Sequence, residues 1–509
     1  MATPENLNPG RSADAPASAG AGAGRSPFGV GWFFVYGYGH VPAATYLPAL
    51  RSLGATSTKV YLFWQQIEPE KGRFDWSAVD AFAGQLASPD EGLIALFSSS
   101  TWATTVSSTM LPPSPAKNLD DYYRFVFETV KRCGGRVRYW QNDAEPNNPV
   151  FWAGSKEQFV AQLRVFHRAV KDADPGAVVI PGGYDGMFVP PELPLPPGTP
   201  RPPPFPQQEH GLQFFDHVLK EAAETFDVFD LRLYGDPYTI TARVEHMRSR
   251  MRAAGVERPI VCTEYGGPNF FEFPENRRYR PMVAAWSATV AGNHGTAPAG
   301  DNAVAELYAG IATLPPQTQM FMQGCSPELE AKLQRIQSRS LVMRNLFALS
   351  AGVERLLYWE LLAVTGPRDD LMTLMFGKVG LLGFESGEPT KRTATADAFA
   401  RMTERLAGVR SVTRVTIESR PTVYLFRVDR RDTEPMWVVW ERRDAFSGED
   451  QPPVEITWPA MIEMPQAIDA LGAEIPVAAD NGRIRVEVGV TPVYIEPTRR
   501  SERAWVTGI

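Results

Sequence analysis

The sequence predicts an α/β fold, a (β/α)8 TIM barrel with a C-terminal antiparallel β-sandwich domain. Apolar strand patterns alternate with amphipathic helix patterns up to residue 408, and short alternating strands separated by turn residues follow. An open doubly wound sheet is disfavoured, because no Gly-rich phosphate loop follows the first strand pattern. We expect a disordered leader at residues 1–26, the barrel at residues 27–408 and the sandwich at residues 409–509.

Eight strand patterns, rich in aromatic, β-branched and other apolar residues, are spaced along the barrel region. They are GVGWFFV (29–35), TSTKVYLFW (56–64), LIALFSSS (93–100), VRYWQN (137–142), AVVIPGG (177–183), FDVFDLRLY (226–234), PIVCTEY (259–265) and RLLYWEL (355–361). Helix patterns such as LDDYYRFVFETVKRCGG lie between them, and several end in Gly, a common helix stop. Eight strand patterns that alternate with helix patterns favour a parallel barrel.

Two connections are unusually long. Residues 184–210 are rich in Pro and cannot form a regular helix, and residues 266–325 carry many aromatic and charged side chains. Both follow strand patterns, so both belong at the carboxyl-terminal face of the barrel. Long loops in a compact domain usually act as lids or binding walls.

The composition excludes several classes of function. The chain has 509 residues, a formal net charge of −7 and a pI near 5.6, which argue against a nucleic-acid or anionic-membrane surface. Its apolar segments are too short and too interrupted to span a bilayer. Cys133, Cys262 and Cys325 show no metal-ligand spacing and are too few for a disulfide framework. We therefore predict no metal and no cofactor, and the sequence indicates no particular oligomeric state.

The first 26 residues are rich in Ala, Gly, Ser and Pro, a composition typical of disorder. They lack the basic start and the apolar stretch of a secretory signal. A cytoplasmic location is therefore the default expectation, while secretion after removal of a signal stays open.

Two glutamates stand where strand patterns end. VRYWQNDAEPNN begins as an alternating strand and breaks at Pro146, which places Glu145 at the strand's last position. PIVCTEYGG places Glu264 at the end of another strand pattern. Barrel enzymes carry their catalytic groups at the carboxyl ends of their strands. The two carboxyl groups are therefore a candidate catalytic pair, with salt bridges or caps in the loops as the alternative.

Five motifs occur in the order and at the strand positions of a known enzyme clan. They are KVYLFWQQIEPEKGRFDWSAVD after the second strand, SSSTWA after the third, YWQNDAEPN on the fourth, RLY on the sixth and VCTEYG on the seventh. With them the chain resembles retaining glycoside hydrolases of clan A, in particular barrel-plus-sandwich enzymes such as family 39 β-xylosidases and related family 5 and family 30 enzymes. The resemblance extends from residue 29 to about residue 500 and implies a carbohydrate substrate.

In that clan the glutamate that ends strand four is the general acid/base, and the one that ends strand seven is the nucleophile. The resemblance therefore implies that Glu145 protonates the leaving oxygen and later activates water, while Glu264 attacks the anomeric carbon. This double displacement needs a carboxylic acid and a carboxylate about 5–5.5 Å apart. The two carboxyl groups also need different surroundings, so that the acid/base keeps its proton while the nucleophile stays ionised.

Arg232 and Tyr234 are two residues apart and so share one face of their strand. The clan has His-x-Tyr here, with the tyrosine hydrogen-bonded to the nucleophile, so Tyr234 fits and Arg232 departs. If Arg232 faces the site, its charge should hold Glu264 ionised; an ion pair elsewhere in the barrel is the alternative. Lys59 stands near the position where the clan usually has an arginine beneath the nucleophile. A lysine supplies the positive charge but cannot make the two parallel hydrogen bonds of a guanidinium group.

Ala144 is the main departure from the clan, which usually has an asparagine there to bind the sugar's 2-hydroxyl. That contact strengthens in the transition state, and alanine cannot make it. Three explanations stay open. The sugar lacks an ordinary 2-hydroxyl contact, a neighbour such as Asn142 or Asn147 supplies it, or the site is weakened.

Trp359 and Trp102 are the candidate sugar platforms, because the C–H faces of pyranoses stack on aromatic rings. Trp359 matches the clan's tryptophan under the −1 sugar, and Trp102 follows the third strand. Packing in the core is the alternative for both.

The predicted function is therefore a retaining glycoside hydrolase that cleaves an O-glycosidic bond by double displacement with two glutamates. One alternative is a catalytically weakened barrel that binds carbohydrate, which Ala144, Lys59 and Arg232 motivate. A transglycosylase that uses the same glutamates is the other. The sequence does not identify the sugar or its linkage.

Overall fold

The structure of the protein, a computed structural model, describes residues 7–8, 26–32, 35–38, 42–184, 193–196, 198–199, 206–292, 302–363, 366–385 and 388–498. Most of the predicted leader at residues 1–26 and much of the Pro-rich connection therefore lie outside the described residues. Leu7–Asn8 form a two-residue strand that pairs antiparallel with Ile417 and Thr416 of the C-terminal domain.

Eight parallel strands, the fifth of them in two segments, form the barrel. They are β1 (Phe28–Gly31), β2 (Ser57–Phe63), β3 (Glu91–Phe97), β4 (Val137–Asn142), β5 (Val178–Ile180 and Gly183–Tyr184), β6 (Phe229–Leu231), β7 (Ile260–Tyr265) and β8 (Val353–Tyr358). The first segment of β5 pairs with β4 and the second with β6, so the fifth strand joins the two ends of the sheet. The predicted α/β barrel is confirmed.

Alternate residues of the barrel strands serve two different cores. On β2, Val60 and Leu62 pack in the cluster shared with the surrounding helices, whereas Tyr61 and Phe63 pack in the cluster inside the barrel. Lys59 lies on the same face as Tyr61. A charged residue can therefore line the barrel interior without disturbing the helix layer.

The described part of the chain contains thirteen α-helices, and none of these is long and apolar enough to cross a membrane. Helix α4 shows the expected end signals, because the Asn118 side chain accepts from two first-turn N–H groups and Gly134 ends the helix at φ 56°. The helices are α1 (Leu47–Ser52), α2 (Trp64–Ile67), α3 (Ser77–Gln85), α4 (Leu119–Cys133), α5 (Lys156–Ala173), α6 (Pro206–Glu221), α7 (Ile240–Ala253), α8 (Arg280–Gly292), α9 (Asn302–Ala309), α10 (Pro316–Gln319), α11 (Pro327–Ser350), α12 (Leu371–Phe376) and α13 (Ala394–Arg405).

The long connection between β7 and α11 is a folded insertion that contains α8, α9 and α10. It has an apolar core of its own, in which Phe270, Phe273 and Phe321 pack together with Leu333 of α11. Trp286 on α8 contacts both this core and the cluster inside the barrel. The insertion therefore packs against the barrel interior at its carboxyl-terminal end.

The C-terminal strands form the predicted antiparallel sandwich. A six-stranded sheet includes Leu7–Asn8, and a three-stranded sheet packs on it over a core that contains Leu425, Val439, Trp458 and Ile484. The strands after the barrel are the pair β9 (Leu382–Glu385) and β10 (Glu388–Arg392), then β11 (Val409–Ile417), β12 (Val423–Arg430), β13 (Met436–Glu441), β14 (Val454–Pro459), β15 (Pro465–Asp469), β16 (Val477–Asp480), β17 (Arg483–Val488) and β18 (Val493–Pro497).

A charged cluster ties the sandwich to α11 of the barrel. Glu449 accepts a hydrogen bond from Arg335 Nη2 at 2.8 Å, and it forms ion pairs with Arg339 Nη1 at 2.9 Å and Lys332 Nζ at 3.2 Å. Burial alone would raise the pKa of Glu449, but the surrounding cations lower it to about 2. Glu449 therefore stays ionised at the interface.

Candidate active site

Glu264 lies within β7, and its carboxylate is held in the barrel interior mainly through one oxygen. Oε1 contacts Lys59 Nζ at 2.7 Å and Arg232 Nη1 at 2.9 Å, and it also accepts a hydrogen bond from the Tyr61 hydroxyl. Oε2 contacts only the Tyr234 hydroxyl in this set, at a longer 3.4 Å. The structure thus gathers Lys59, Arg232 and Tyr234 around Glu264.

Strand periodicity explains how these side chains meet. Lys59 and Tyr61 are two apart on β2, and Arg232 and Tyr234 are two apart just beyond the last residue of β6. Each pair therefore points the same way, into the interior at the carboxyl ends of the strands. β6 itself is only three residues long, so both of its reactive-site residues lie past the end of the regular sheet.

The charges around Glu264 set its ionisation. Burial alone would raise the pKa of Glu264, but the Arg232 guanidinium and the Lys59 ammonium outweigh it and keep that pKa below its usual value. Burial and the neighbouring Arg232 lower the pKa of Lys59 to about 8. Burial and the Glu264 charge raise the pKa of Tyr61 and of Tyr234 well above its usual value, so both hydroxyls remain neutral donors.

A second layer of polar groups supports these side chains from below. Thr263 Oγ1 accepts from Lys59 Nζ at 3.0 Å and from Arg232 Nη1 at 2.6 Å, and donates to Asp230 Oδ2 at 2.6 Å. Asp230 Oδ2 also accepts from Gln141 Nε2 at 2.7 Å. The buried Asp230 carboxylate therefore balances one of the two cations.

Glu145 lies three residues beyond the end of β4, not at the strand's last position as the sequence suggested. The strand stops at Asn142 because Asp143 adopts a left-handed backbone conformation, with φ 57°. The Glu145 side chain is 12% exposed, and its Oε1 lies 3.5 Å from Arg232 Nε. Glu145 is thus closer to solvent than Glu264 but faces the same guanidinium group.

Asp143 anchors the turn that presents Glu145. Its Oδ1 accepts from the Ser98 N–H at 2.9 Å, and the Ser98 hydroxyl lies 3.2 Å from Oδ2. Burial raises the pKa of Asp143 to about 7, although both Ser98 hydrogen bonds oppose the shift. The fully buried Asp143 thus ties the end of β4 to the end of β3.

Ala144 and Gly183 form the wall against which Arg232 packs. The Ala144 carbonyl accepts from Arg232 Nη2 at 3.2 Å and from the Gly183 N–H, and the Ala144 side chain is fully buried inside the barrel. A Cβ atom at Gly183 would lie 2.2 Å from Arg232 Nε. Glycine at 183 therefore provides the room for the guanidinium.

Arginines from two helices hold the backbone that carries Arg232 and Tyr234. Arg243 on α7 donates to the carbonyls of Arg232 and Tyr234, and Arg344 on α11 donates to the Leu233 carbonyl at 2.8 Å. Both helix arginines are buried. The segment past β6 is thus held by these side chains together with two backbone hydrogen bonds, from the Arg232 N–H to the Tyr184 carbonyl and from the Leu233 N–H to the Glu264 carbonyl.

Trp359 lies at the end of β8 beside the glutamate cluster. It is 5% exposed, and its ring stacks on Tyr61 with centroids 5.5 Å apart and an interplanar angle of 27°. Gly31 lies against the indole, since a Cβ there would be 2.9 Å from Trp359 Cε3. The structure therefore brings this predicted platform residue to the site.

Three other predicted substrate-binding residues make contacts that do not involve Glu264. Trp102 Nε1 donates to the Glu68 carbonyl at 3.0 Å, and its ring packs with the helix-layer core. Asn142 accepts from Tyr122 of α4 at 2.7 Å, because Gln141 takes the interior face of β4. Asn147 is buried against Gly211 of α6. None of these contacts leads to Glu264.

Sequence reasoning missed Tyr61, Thr263 and Asp230. Strand parity could have found Tyr61, which is two residues after Lys59, and Asp230, which is two residues before Arg232. Thr263 carried no such signal, because it precedes Glu264 in an apolar strand and reads as a core residue. Within the described ranges no group of three or more His, Cys, Asp or Glu side chains is placed to hold a metal ion.

Solved structures of glycoside hydrolases share this fold. A family 39 glycoside hydrolase from Bacteroides cellulosilyticus WH2 aligns with a TM-score of 0.59 and 15% identity, covering 93% of this chain and 81% of that one. A family 39 β-xylosidase from Caulobacter crescentus aligns at 0.53 and 13% identity, covering 93% and 98%. The catalytic domain of the family 30 xylanase C from Talaromyces cellulolyticus aligns at 0.53 and 10% identity, covering 94% and 98%.

The likeness to these enzymes is one of fold. The sequence matches no protein-family model and no curated protein. The resemblance to family 39 and family 30 enzymes that the sequence indicated is therefore confirmed for the barrel and its sandwich domain.

Proposed function

We propose that the protein is a retaining glycoside hydrolase in which Glu264 is the nucleophile and Glu145 the general acid/base. The observation that carries this proposal is that the two carboxyl groups differ in burial and in the positive charges beside them. Glu264 is buried between Lys59 and Arg232, whereas Glu145 is nearer solvent and faces the Nε edge of the Arg232 guanidinium at 3.5 Å. Carboxyl groups in such different surroundings suit an ionised nucleophile and a proton donor.

The charge balance of the site supports the same assignment. Lys59 and Arg232 carry two positive charges, and Asp230 and Glu264 carry two negative charges, all of them on buried side chains. The cluster is neutral when Glu145 holds a proton. Because a net charge is costly to bury, this balance agrees with a Glu145 that holds its proton in the free enzyme.

The two oxygens of Glu264 have different roles in this proposal. Oε1 accepts hydrogen bonds from Lys59 and Tyr61 and is ion-paired with Arg232, and all three draw electron density from it. Oε2 meets only the long Tyr234 contact of 3.4 Å and keeps its lone pairs available. We assign Oε2 as the attacking oxygen and Oε1 as the oxygen that orients the carboxylate.

The reaction then proceeds in two displacements. Glu264 Oε2 forms a bond to the anomeric carbon while the glycosidic bond breaks, and Glu145 gives its proton to the leaving oxygen. In the second step water attacks the anomeric carbon, its proton passes to Glu145, and the bond to Glu264 breaks. The first step leaves Glu145 as a carboxylate, which is the base that the second step needs.

The likeness in fold to enzymes described as a β-xylosidase and a xylanase favours a carbohydrate substrate, and the buried Trp359 beside Tyr61 offers a ring against which a sugar can stack. Ala144 removes the side chain that the clan uses at the 2-position of the sugar. The substrate therefore lacks that contact, or another group makes it.

The test is covalent labelling combined with product analysis. The protein is incubated with 2-deoxy-2-fluoro glycosides that carry a dinitrophenolate leaving group, and the peptide that gains mass is identified. We expect labelling on Glu264, retention of anomeric configuration by NMR for a cleaved aryl glycoside, and no turnover by Glu264→Gln. Glu145→Ala should lower turnover by about 10²–10⁴-fold, the usual contribution of acid/base catalysis.

Near-wild-type turnover by Glu264→Gln would disprove the assignment. Sugar binding without labelling or turnover would instead identify a carbohydrate-binding protein, the alternative that Ala144 favours. Transfer of the glycosyl group to sugar acceptors in preference to water would identify a transglycosylase.

A further inference from the structure

One guanidinium group lies against both candidate catalytic carboxyl groups. Arg232 Nη1 is 2.9 Å from Glu264 Oε1, and Arg232 Nε is 3.5 Å from Glu145 Oε1. Nη1 has the Thr263 hydroxyl and Asp230 as further neighbours, and Nη2 donates to the Ala144 carbonyl. Nε makes no hydrogen bond in the described part of the chain. Glu145 Oε1, at 3.5 Å, is the carboxyl oxygen that faces it.

The barrel is built to keep the guanidinium at this position. Arg232 is fully buried, and a Cβ at Gly183 would lie 2.2 Å from its Nε and 2.6 Å from its Cζ. The guanidinium is therefore confined between Gly183 on one side and the carboxyl groups on the other. Burial alone would lower the pKa of Arg232, but Asp230 and Glu264 raise it well above its usual value, so the charge is permanent.

The two halves of the proposed reaction place the negative charge on different glutamates. In the free enzyme Glu264 is ionised and Glu145 is protonated. In the covalent intermediate Glu264 is a neutral ester, and Glu145 is ionised because it has given its proton to the leaving group. The cations Lys59 and Arg232 and the anion Asp230 are unchanged, so the cluster is neutral in both states.

We propose that Arg232 is the shared counterion of both glutamates, pairing with Glu264 in the free enzyme and with Glu145 in the glycosyl-enzyme. This inference rests on the proposed function. A cation beside Glu145 favours its carboxylate form. Arg232 therefore keeps Glu145 ready to take a proton from water, and its loss should slow the second displacement more than the first.

Arg232→Met tests this directly, because methionine keeps an extended apolar side chain and removes the charge. A dinitrophenyl glycoside needs no acid to lose its leaving group, so the variant can still form the intermediate. We expect a burst of about one equivalent of dinitrophenol, then a steady state about 10–100-fold slower than wild type. Azide should restore the rate, because it attacks without a base, and the acidic limb of kcat should move to higher pH.

Two further variants separate this role from general damage. Gly183→Ala keeps the arginine but places a Cβ 2.2 Å from the present position of Nε, so the guanidinium must move, and we expect the same burst and the same rescue by azide. Lys59→Met removes the cation that is 2.7 Å from Glu264, and we expect a slower first displacement with no burst. Circular dichroism and thermal melting establish that each variant is folded.

The outcomes distinguish the inference from the function on which it rests. If wild-type protein is labelled and turns over, but Arg232→Met and Gly183→Ala show no burst and no rescue, the shared-counterion role is wrong and the glycosidase assignment stands. If Arg232→Met does not fold, Gly183→Ala decides alone. If wild-type protein is neither labelled nor active on any glycoside, the proposed function itself fails.

Discussion

Replacing Tyr61 by Phe removes one hydroxyl from the Glu264 carboxylate and leaves the ring in place. The ring contacts that hold Tyr61, to Phe97 at 4.9 Å and to Trp359 at 5.5 Å between centroids, do not involve the hydroxyl. A hydrogen bond to a charged group contributes about 1.5–3 kcal/mol, which corresponds to about 1–2 pKa units. Because Lys59 still contacts the same oxygen, we expect the lower end, a rise of about one unit in the pKa of Glu264.

The rate of labelling of Glu264 by an activated 2-fluoro glycoside measures this shift. Labelling requires an ionised nucleophile but no acid, so the acidic limb of the rate profile follows the nucleophile alone. The hydroxyl favours the carboxylate form, and its loss makes the carboxyl hold its proton to higher pH. The acidic limb in Tyr61→Phe should therefore lie about one pH unit above that of wild type, with little change in the plateau.

Tyr234→Phe is the matched control, because Tyr234 also donates to Glu264 but at 3.4 Å and to the other oxygen. We expect a smaller shift of the acidic limb in this variant. An equal or larger shift in Tyr234→Phe, or no shift in Tyr61→Phe, would refute the conclusion that Glu264 is held through Oε1.

Two carboxyl groups, the buried Asp143 and the half-buried Glu449, lead to predictions about stability. Burial raises the pKa of Asp143 to about 7, above its unfolded value, so the ionised folded state is penalised. Asparagine tolerates the left-handed backbone at position 143, where φ is 57°. As pH rises from about 4 to about 7, Asp143→Asn should gain stability relative to wild type by up to about 4 kcal/mol. Chemical unfolding at both pH values measures this difference, and a difference that does not change with pH would contradict the prediction. The pKa of Glu449 is lowered to about 2 in the folded protein. Ionised Glu449 therefore stabilises the folded state at any pH above the pKa that this group has in the unfolded chain, and this stabilisation is lost as pH falls towards 2. Glu449→Gln should lower the melting temperature at neutral pH by an amount equivalent to about 2–3 kcal/mol, and the difference should disappear at acid pH; an unchanged melting temperature would show that the cluster does not stabilise the interface.

The barrel could be predicted from sequence because its strands are buried on both sides. Patterns such as TSTKVYLFW and LIALFSSS are mostly apolar, and the observed β2 and β3 are buried along their whole length. The alternating pattern VRYWQN gives the observed bounds of β4. β6 is different: FDVFDLRLY suggested a strand from 226 to 234, but only Phe229–Leu231 pair regularly. Residues 232–234 make two further backbone hydrogen bonds to β5 and β7, and arginines from α7 and α11 bind their carbonyls, which no local pattern reveals.

The site could be predicted where a residue type is unusual for its position. A lysine on an apolar strand and glutamates at strand ends stand out, and the structure does bring Lys59, Arg232 and Tyr234 to Glu264. Tyr61 did not stand out, because tyrosine is common in strands. Asn142 was named for its proximity in sequence to Glu145, but the left-handed residue Asp143 separates them and leaves Asn142 facing α4.

The buried arginines behind β6 fix the position of Arg232 and Tyr234 independently of the loops at the mouth of the barrel. Arg243 and Arg344 grip the carbonyls of the segment that carries Arg232 and Tyr234, and they do so from helices on the outer layer. The loops that would face a substrate make none of these three hydrogen bonds. Those loops can therefore be lengthened, shortened or exchanged to accept a different sugar while Lys59, Arg232 and Glu264 keep their geometry. This makes the barrel a suitable scaffold for altering specificity.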